Sequence, residues 1–173
     1  MKKINVRNLS IGSLFAAIIC VATAVLKIPV GITNGYVHLG DMFIFAASAA
    51  LGPYAALSAG IGSGLADLFA GYPVYILPTL IIKGSMGFIA GKSMRKLPGE
   101  STGGQAQQLL KIIVLFTICE LFMCVGYWAF ETVLYGVAAA TAALPMNLLQ
   151  GLFGVIGGTA MVRLIPKRLL EDK

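Results

Sequence analysis

Apolar residues fill most of the chain in long runs, and proline, glycine and charged residues break these runs apart. The breaks delimit six apolar segments, near residues 9–27, 39–51, 54–71, 74–94, 109–134 and 145–165. A helix needs roughly 20 apolar residues to cross a bilayer. The second and third segments are shorter and meet at Gly52 and Pro53, which is a turn signal. The pattern predicts an all-α integral membrane protein with six transmembrane helices, two of them paired in a tight hairpin.

The clearly polar segment is residues 97–108, which is rich in glycine and glutamine and also contains proline and serine. Such a composition is typical of a flexible linker. Six helices with short loops would use about three quarters of the chain. We therefore expect residues 1–173 to form a single transmembrane domain, with this linker on the cytoplasmic side between the fourth and fifth helices.

The charge distribution predicts the orientation in the membrane. Hydrophobic residues make up 58% of the chain and charged residues only 12%, so a soluble domain is excluded. The net charge of +6 could suggest nucleic-acid binding, but the basic residues cluster at both ends and in one middle stretch. With an even number of spans they fall on one side and only Lys27 on the other, which predicts cytoplasmic termini and no nucleic-acid partner. The clustered residues are Lys2, Lys3, Arg7, Lys92, Arg95, Lys96, Lys111, Arg163, Lys167, Arg168 and Lys173.

Motifs for catalysis and for metal binding are absent from the sequence. Its three cysteines, Cys20, Cys119 and Cys124, lie in apolar stretches without CxxC spacing. There is no HExxH motif, no nucleophile elbow and no phosphate-binding loop with its lysine. We expect no enzymatic activity, no cofactor and no metal site.

Several polar residues fall inside the predicted spans, where an ionisable group costs about 2.5 to 3.5 kcal/mol on insertion scales. At 1.5 Å per residue, Asp41, Asp67 and Glu131 lie near the outer ends of their helices, as do His38 and Asn147. For Asp41 and Asp67 we expect helix-end structure ahead of ligand contact. The layer predicts a polar pocket that faces outward, among the fourth, fifth and sixth helices.

Helical spacing selects the pocket residues. Residues Glu120, Tyr127 and Glu131 share one face of the fifth helix, and Tyr75, Thr79 and Lys83 share one face of the fourth. The amides of Asn147 and Gln150 lie one turn apart and suit a heteroaromatic ring. The candidate substrate-binding residues are Tyr36, His38, Tyr75, Thr79, Lys83, Glu120, Tyr127, Glu131, Asn147 and Gln150.

Two further expectations concern this pocket. Residues Lys83 and Glu120 lie at similar depth, which predicts an ion pair that either joins the helices or contacts a ligand. The loops at 31–38 and 71–73 would cover the pocket, and the glycines of the first loop would let it close over a ligand.

Small residues recur four apart on the first helix at Gly12, Ala16 and Cys20. Such a groove lets another helix backbone approach closely. The pattern leaves open whether that helix belongs to this chain or to a partner.

Several motifs, taken in order, resemble one known family. They are GSLFAA at 12–17, YVHLGD at 36–41, GIGSGLAD at 60–67, GYP at 71–73, GY at 126–127 with Glu131, and PMNLLQG at 145–151. Together they cover nearly the whole chain. Their order and spacing resemble the substrate-binding S component of energy-coupling factor (ECF) vitamin importers.

The resemblance implies a bacterial plasma-membrane protein that binds a small-molecule vitamin outside. It would dock onto a shared transmembrane coupling subunit with two ATPase subunits, hydrolyse nothing itself and topple to deliver its cargo. The docking face would include Gly12, Ala16 and Cys20, where Cys20 replaces the usual alanine. The closest likeness is to members for pyridoxine or hydroxymethylpyrimidine, with riboflavin or a queuosine precursor as alternatives.

A different class of protein also fits the polar residues. In a self-contained proton-coupled transporter, Lys83 and Glu120 would form a proton relay in the middle of the membrane. That hypothesis predicts uptake without ATPase partners.

Overall fold

The computed structural model describes residues 6–30, 35–96 and 104–165, and within them the chain forms six α-helices. Their bounds are α1 (Val6–Val25), α2 (Asp41–Leu51), α3 (Ala55–Ala70), α4 (Ile76–Met94), α5 (Gly104–Tyr135) and α6 (Val137–Leu164). Short 3-10 turns at Gly52–Tyr54 and Pro73–Tyr75 join α2 to α3 and α3 to α4. The predicted largely helical architecture is confirmed.

Successive helices run in alternating directions. On α1, Gly12 lies beside Leu51 at the end of α2 and Ser58 near the start of α3, whereas Thr23 lies beside Gly40, which precedes α2. Cross-helix contacts continue the alternation through α4, α5 and α6. The start of α1 and the end of α6 therefore share one end of the bundle, called here the terminal end.

Among the described residues, five helical stretches are long and apolar enough to cross a membrane, and Asp41–Ala70 counts as one of them. Within that stretch α2 has 11 residues and α3 has 16, so they are about 17 and 24 Å long. Each is shorter than the hydrocarbon core of about 30 Å. The chain is a multi-pass membrane protein, and the number of six spans stays a prediction.

Two helix boundaries differ from those predicted. Helix α5 begins at Gly104, so the last part of the predicted linker 97–108 is helical, and residues 97–103 lie outside the described part. Helix α6 begins at Val137 rather than near residue 145, and Pro145 lies inside it. The sequence pattern predicts a helix start at Pro145, but membrane helices tolerate an internal proline where neighbouring groups satisfy the freed backbone.

A two-stranded antiparallel hairpin follows α1, which the sequence did not predict. Strand β1 (Lys27–Val30) pairs with β2 (Gly35–His38), with Lys27 opposite His38 and Pro29 opposite Tyr36. Its tip at 31–34 lies outside the described residues, so the expected lid there is not described. The hairpin defines the second end of the bundle, the hairpin end, and places Tyr36 and His38 over the helices.

Two apolar clusters hold the bundle together. One joins α2, α4, α5 and α6 and contains Phe45 and Phe116, whose rings stack 3.9 Å apart. The other packs α1 against α2 and α3 around Ile19 and Ile44. Helix α2 belongs to both clusters, so all six helices are connected through apolar packing.

The small residues of α1 pack inside this chain. The Ser58 hydroxyl donates to the Gly12 carbonyl at 2.8 Å, and Gly62 of α3 lies against the backbone of Ala16. Internal packing, one of the two alternatives for this stripe, is therefore observed for Gly12 and Ala16. A docking role for Gly12, Ala16 and Cys20 stays a prediction.

We expect Gly62→Ala to destabilise the bundle by about 1–3 kcal/mol, because its new methyl group would lie 2.5 Å from the Ala16 carbonyl oxygen. The matched control is Gly64→Ala in the same helix, whose methyl group would meet its nearest neighbour at 3.6 Å. Thermal unfolding in detergent compares the two variants. Equal loss of stability in both would contradict the close α1–α3 packing.

Candidate binding site

A polar cavity lies at the hairpin end, enclosed by β2 and by α3, α4, α5 and α6. Ten described residues line it: Tyr36, His38, Asp67, Tyr75, Thr79, Tyr127, Glu131, Ala143, Asn147 and Gln150. The enclosed space is about 30 Å³. That volume holds one or two water molecules, so a larger ligand requires the walls to move apart.

A buried ion pair lies beneath this cavity, behind Gln150 of its lining, and is called here the floor ion pair. The Lys83 ammonium donates to Asp41 Oδ1 at 2.6 Å, and neither side chain is more than 1% exposed. Burying both charges is costly, and mutual attraction with further hydrogen bonds compensates for it. The pair joins α4 to the first residue of α2.

Gln150 extends the floor toward the hairpin. Its amide nitrogen donates to Asp41 Oδ2 at 2.6 Å, and its amide oxygen accepts a hydrogen bond from the His38 backbone at 3.1 Å. The His38 ring accepts from the Gly40 backbone at 3.0 Å. This chain of contacts fixes the height of β2 above the ion pair.

Tyrosines from two helices form one wall. The Tyr75 hydroxyl donates to Glu131 at 3.2 Å, and the Thr79 and Tyr127 hydroxyls lie 2.9 Å apart. The rings of Tyr75 and Tyr127 are tilted, with centroids 6.3 Å apart. The wall therefore offers both aromatic surface and hydrogen-bonding groups.

The outer side of the cavity is closed by contacts between the hairpin and the end of α3. The Tyr36 hydroxyl donates to Asp67 at 2.7 Å, and the ring of Tyr36 lies 4.9 Å from that of Tyr72. The Lys27 ammonium lies 5.8 and 5.7 Å from these rings and donates to the Ala70 carbonyl. Aromatic and cation–π contacts thus hold β1 and β2 over the site.

Buried polar atoms of Asp67 and Asn147 in the lining have no hydrogen-bond partner among the described residues. They are Oδ2 of Asp67, an acceptor when ionised, and Nδ2 of Asn147, a donor. Buried polar groups without partners cost free energy, so both favour a ligand that supplies the complementary groups.

The lining carries acidic groups but no lysine or arginine among its ten described residues. Burial is the main cause that lowers the pKa of His38 to about 4. The Asp41 carboxylate acts to raise this pKa, and the Lys83 ammonium acts to lower it. His38 is therefore neutral at pH 7. The cavity suits a neutral or cationic ligand better than an anion.

Eight of the ten predicted residues line the cavity, and Lys83 and Glu120 do not. The predicted Lys83–Glu120 ion pair is wrong, because Lys83 pairs with Asp41 instead. The Glu120 carboxyl lies against Gly151 and Gly154 of α6, and neither of its oxygens has a hydrogen-bond partner in the described part of the chain. Depth along the helices was judged correctly, but the rotation of α5 points Glu120 elsewhere.

Three residues of the site are not among the predicted ones. Asp41 lies at a helix end as expected, at the first position of α2, and also pairs with Lys83, whereas Asp67 lines the cavity. Ala143 lies before the predicted start of its helix. Asp67 could have been identified from its place in the last turn of α3. A carboxylate is unfavourable at the negative end of the helix dipole, which indicates a role other than helix stabilisation.

The fold and cavity define a multi-pass membrane protein with a small polar binding site at one end. The family model for the ECF-type riboflavin transporter, S component, matches residues 3–167. The chain belongs to this family, whose members are transporter components and not themselves enzymes.

Two relatives cover most of the chain. An uncharacterised protein of Pyrococcus woesei is 31% identical over 87% of this chain and 96% of its own length. The thiamine precursor transporter HmpT of Lactococcus lactis is 26% identical over 94% of this chain and 90% of its own length. The resemblance derived from the motifs is confirmed, and the protein is a vitamin or precursor transporter component.

Removing one partner of the floor ion pair leaves an uncompensated buried charge. We expect Lys83→Met to lower the unfolding free energy by about 3–5 kcal/mol, and the double variant Asp41→Asn with Lys83→Met to recover most of it. Chemical unfolding in detergent measures both. Lys111→Met, at an exposed position, is the control and should change stability by no more than about 0.5 kcal/mol. An additive double variant would contradict a direct pair.

Acid should destabilise the protein through His38. Its pKa is about 4 when folded and 6.5 when unfolded, so the unfolded chain binds more protons between these values. The contribution of His38 to the free energy of unfolding is therefore fully present above about pH 6.5. It decreases as the pH falls, and about 2 kcal/mol of stability is lost at pH 5. Unfolding at pH 7 and pH 5 tests this, with His38→Asn as the comparison. An unchanged pH dependence in that variant would refute the assignment.

Proposed function

We propose that this chain is the substrate-binding subunit of an ECF-type importer that captures hydroxymethylpyrimidine, or the similar pyridoxine, outside the cell. The observation that carries the proposal is the cavity itself, with aromatic walls and an unpartnered acceptor and donor. Each ligand named is a small heteroaromatic alcohol, neutral or cationic at neutral pH. The site offers such a ring both stacking surface and hydrogen bonds.

The two unpartnered atoms suggest how the ring is held. The Asp67 carboxylate would accept a hydrogen bond from an amino or hydroxyl group, and the Asn147 amide would donate to a ring nitrogen. Tyr75 and Tyr127 would contact the faces of the ring. A pyrimidine with an exocyclic amine offers a donor beside an acceptor.

Size separates the candidate substrates. The enclosed space of about 30 Å³ must widen to hold any of the candidate substrates. A ligand with a single ring requires the smallest widening. The relative named as a thiamine precursor transporter supports a pyrimidine. The riboflavin name of the family model keeps riboflavin as a competitor, and a queuosine precursor is a further alternative.

The proposed topology has six spans with both termini in the cytoplasm and the cavity facing outward across the plasma membrane. The alternating helices and the basic residues Lys92, Arg95 and Arg163 at the terminal end support this orientation. The partners would be the shared coupling subunit and two ATPase subunits, which hydrolyse ATP. Because Gly12 and Ala16 pack on α3, docking through α1 would rely on Cys20 and its exposed neighbours.

A self-contained proton-coupled transporter is the less favoured function. Its proposed relay needs Lys83 and Glu120 in contact, and Lys83 is instead held by Asp41. We therefore retain the importer subunit as the proposal.

Isothermal titration of the purified chain with hydroxymethylpyrimidine, pyridoxine and riboflavin tests the substrate. We expect hydroxymethylpyrimidine to bind most tightly, and Asp67→Asn and Asn147→Ala each to weaken it roughly 10- to 100-fold through the loss of one hydrogen bond. Glu131→Ala should weaken it as well, because it removes the hydrogen bond that Tyr75 donates to Glu131.

Ser13→Ala is the matched control, since that exposed hydroxyl bonds only within its own helix, to the Leu9 carbonyl, and should leave binding unchanged. Tightest binding of riboflavin would overturn the substrate. Absence of binding across the panel in folded protein would overturn vitamin capture.

A further inference from the structure

A second, apolar groove lies between α5 and α6 on the outer surface of the helix bundle. It encloses about 650 Å³ and runs from Leu109 to Cys124 on α5 and from Leu148 to Arg163 on α6. At 1.5 Å per residue its length is about 22 Å. Leucine, isoleucine and valine side chains dominate its lining, so it is a surface for hydrocarbon.

The groove has a positive charge at its terminal end. Arg163 lines it there and is exposed, and its guanidinium has no hydrogen-bond or ion-pair partner within residues 6–30, 35–96 and 104–165. A guanidinium binds phosphate through two parallel hydrogen bonds. A phosphate at this point would also sit at the level of the lipid headgroups if the terminal end is cytoplasmic.

One helical turn deeper the groove presents a hydroxyl. Thr159 lies four residues before Arg163, about 6 Å along α6, and both line the groove. Its Oγ1 is buried and has no hydrogen-bond partner among the described residues. The hydroxyl of Thr117, across the groove, donates to the Ile113 carbonyl of its own helix.

The deep end of the groove reaches the back of the binding site. Glu120 lines it, is only 4% exposed, and meets Gly154, which also borders Asp41. Water entering the groove would reach this carboxyl and the ion pair behind it. An apolar occupant would keep that water out.

We propose that this groove is a binding site for one anionic phospholipid. Its phosphate binds Arg163, an ester carbonyl accepts a hydrogen bond from Thr159, and one acyl chain lies along the groove toward Glu120. The spacing of the two polar anchors matches the step from the phosphate to the esters of a glycerophospholipid. The site is separate from the substrate cavity and does not depend on which substrate the protein carries.

Native mass spectrometry of the full chain tests the proposal, with phosphatidylglycerol and phosphatidylcholine of identical acyl chains as probes. We expect phosphatidylglycerol to be retained at least tenfold more strongly, Arg163→Gln to abolish this preference, and Arg163→Lys to keep part of it. Thr159→Val should weaken retention. Ala160→Trp should fill the groove with an indole ring and so weaken lipid retention, while leaving Arg163 in place.

Lys111→Gln is the control, because Lys111 is equally basic and exposed at the same end but does not line the groove. Each variant is first checked for helical content and for a single elution peak. Equal retention by Arg163→Gln, equal loss in Lys111→Gln, or no difference between the two lipids would overturn the proposal. Substrate titration on Arg163→Gln separates this result from the proposed function, since its cavity is intact.

Discussion

The buried contact between Lys83 and Asp41 is the interaction on which the site depends. Two charges removed from water require each other, and the remaining carboxylate oxygen requires Gln150. Gln150 in turn accepts a hydrogen bond from the His38 backbone, which sets the position of β2. One ion pair thereby connects α2, α4, α6 and the hairpin at the floor of the cavity. Loss of either charge would disturb the contacts that connect these helices and the hairpin.

The short second helix explains why this floor lies inside the bundle. Helix α2 has 11 residues and begins directly at Asp41, so its first carboxylate is fully buried among the other helices. The hairpin fills the space above and carries Tyr36 to Asp67. A chain with full-length helices throughout would have no such recess. The same shortness leaves room for the polar cavity at the hairpin end, an arrangement suited to capturing a ligand from that side.

Comparison of the predicted and observed sites shows where residue spacing is informative. The pairs Tyr75 and Thr79, Tyr127 and Glu131, and Asn147 and Gln150 share faces because helical periodicity is a local property, and all six line the cavity. The Lys83–Glu120 pair failed because depth along an axis does not define the rotation of one helix against another. The hairpin was missed because its strands are only four residues long.

The sequence alone determined the membrane class, the helical architecture, the family and most cavity residues. Hydrophobic run length, charge placement and 3.6-residue spacing are properties of each segment by itself. Only the tertiary structure decided that Asp41 neutralises Lys83, that Asp67 faces the cavity, and that Gly12 and Ala16 pack against α3. These facts depend on which faces meet when the helices pack. Helix packing is set by close contacts among many side chains, which no single segment encodes.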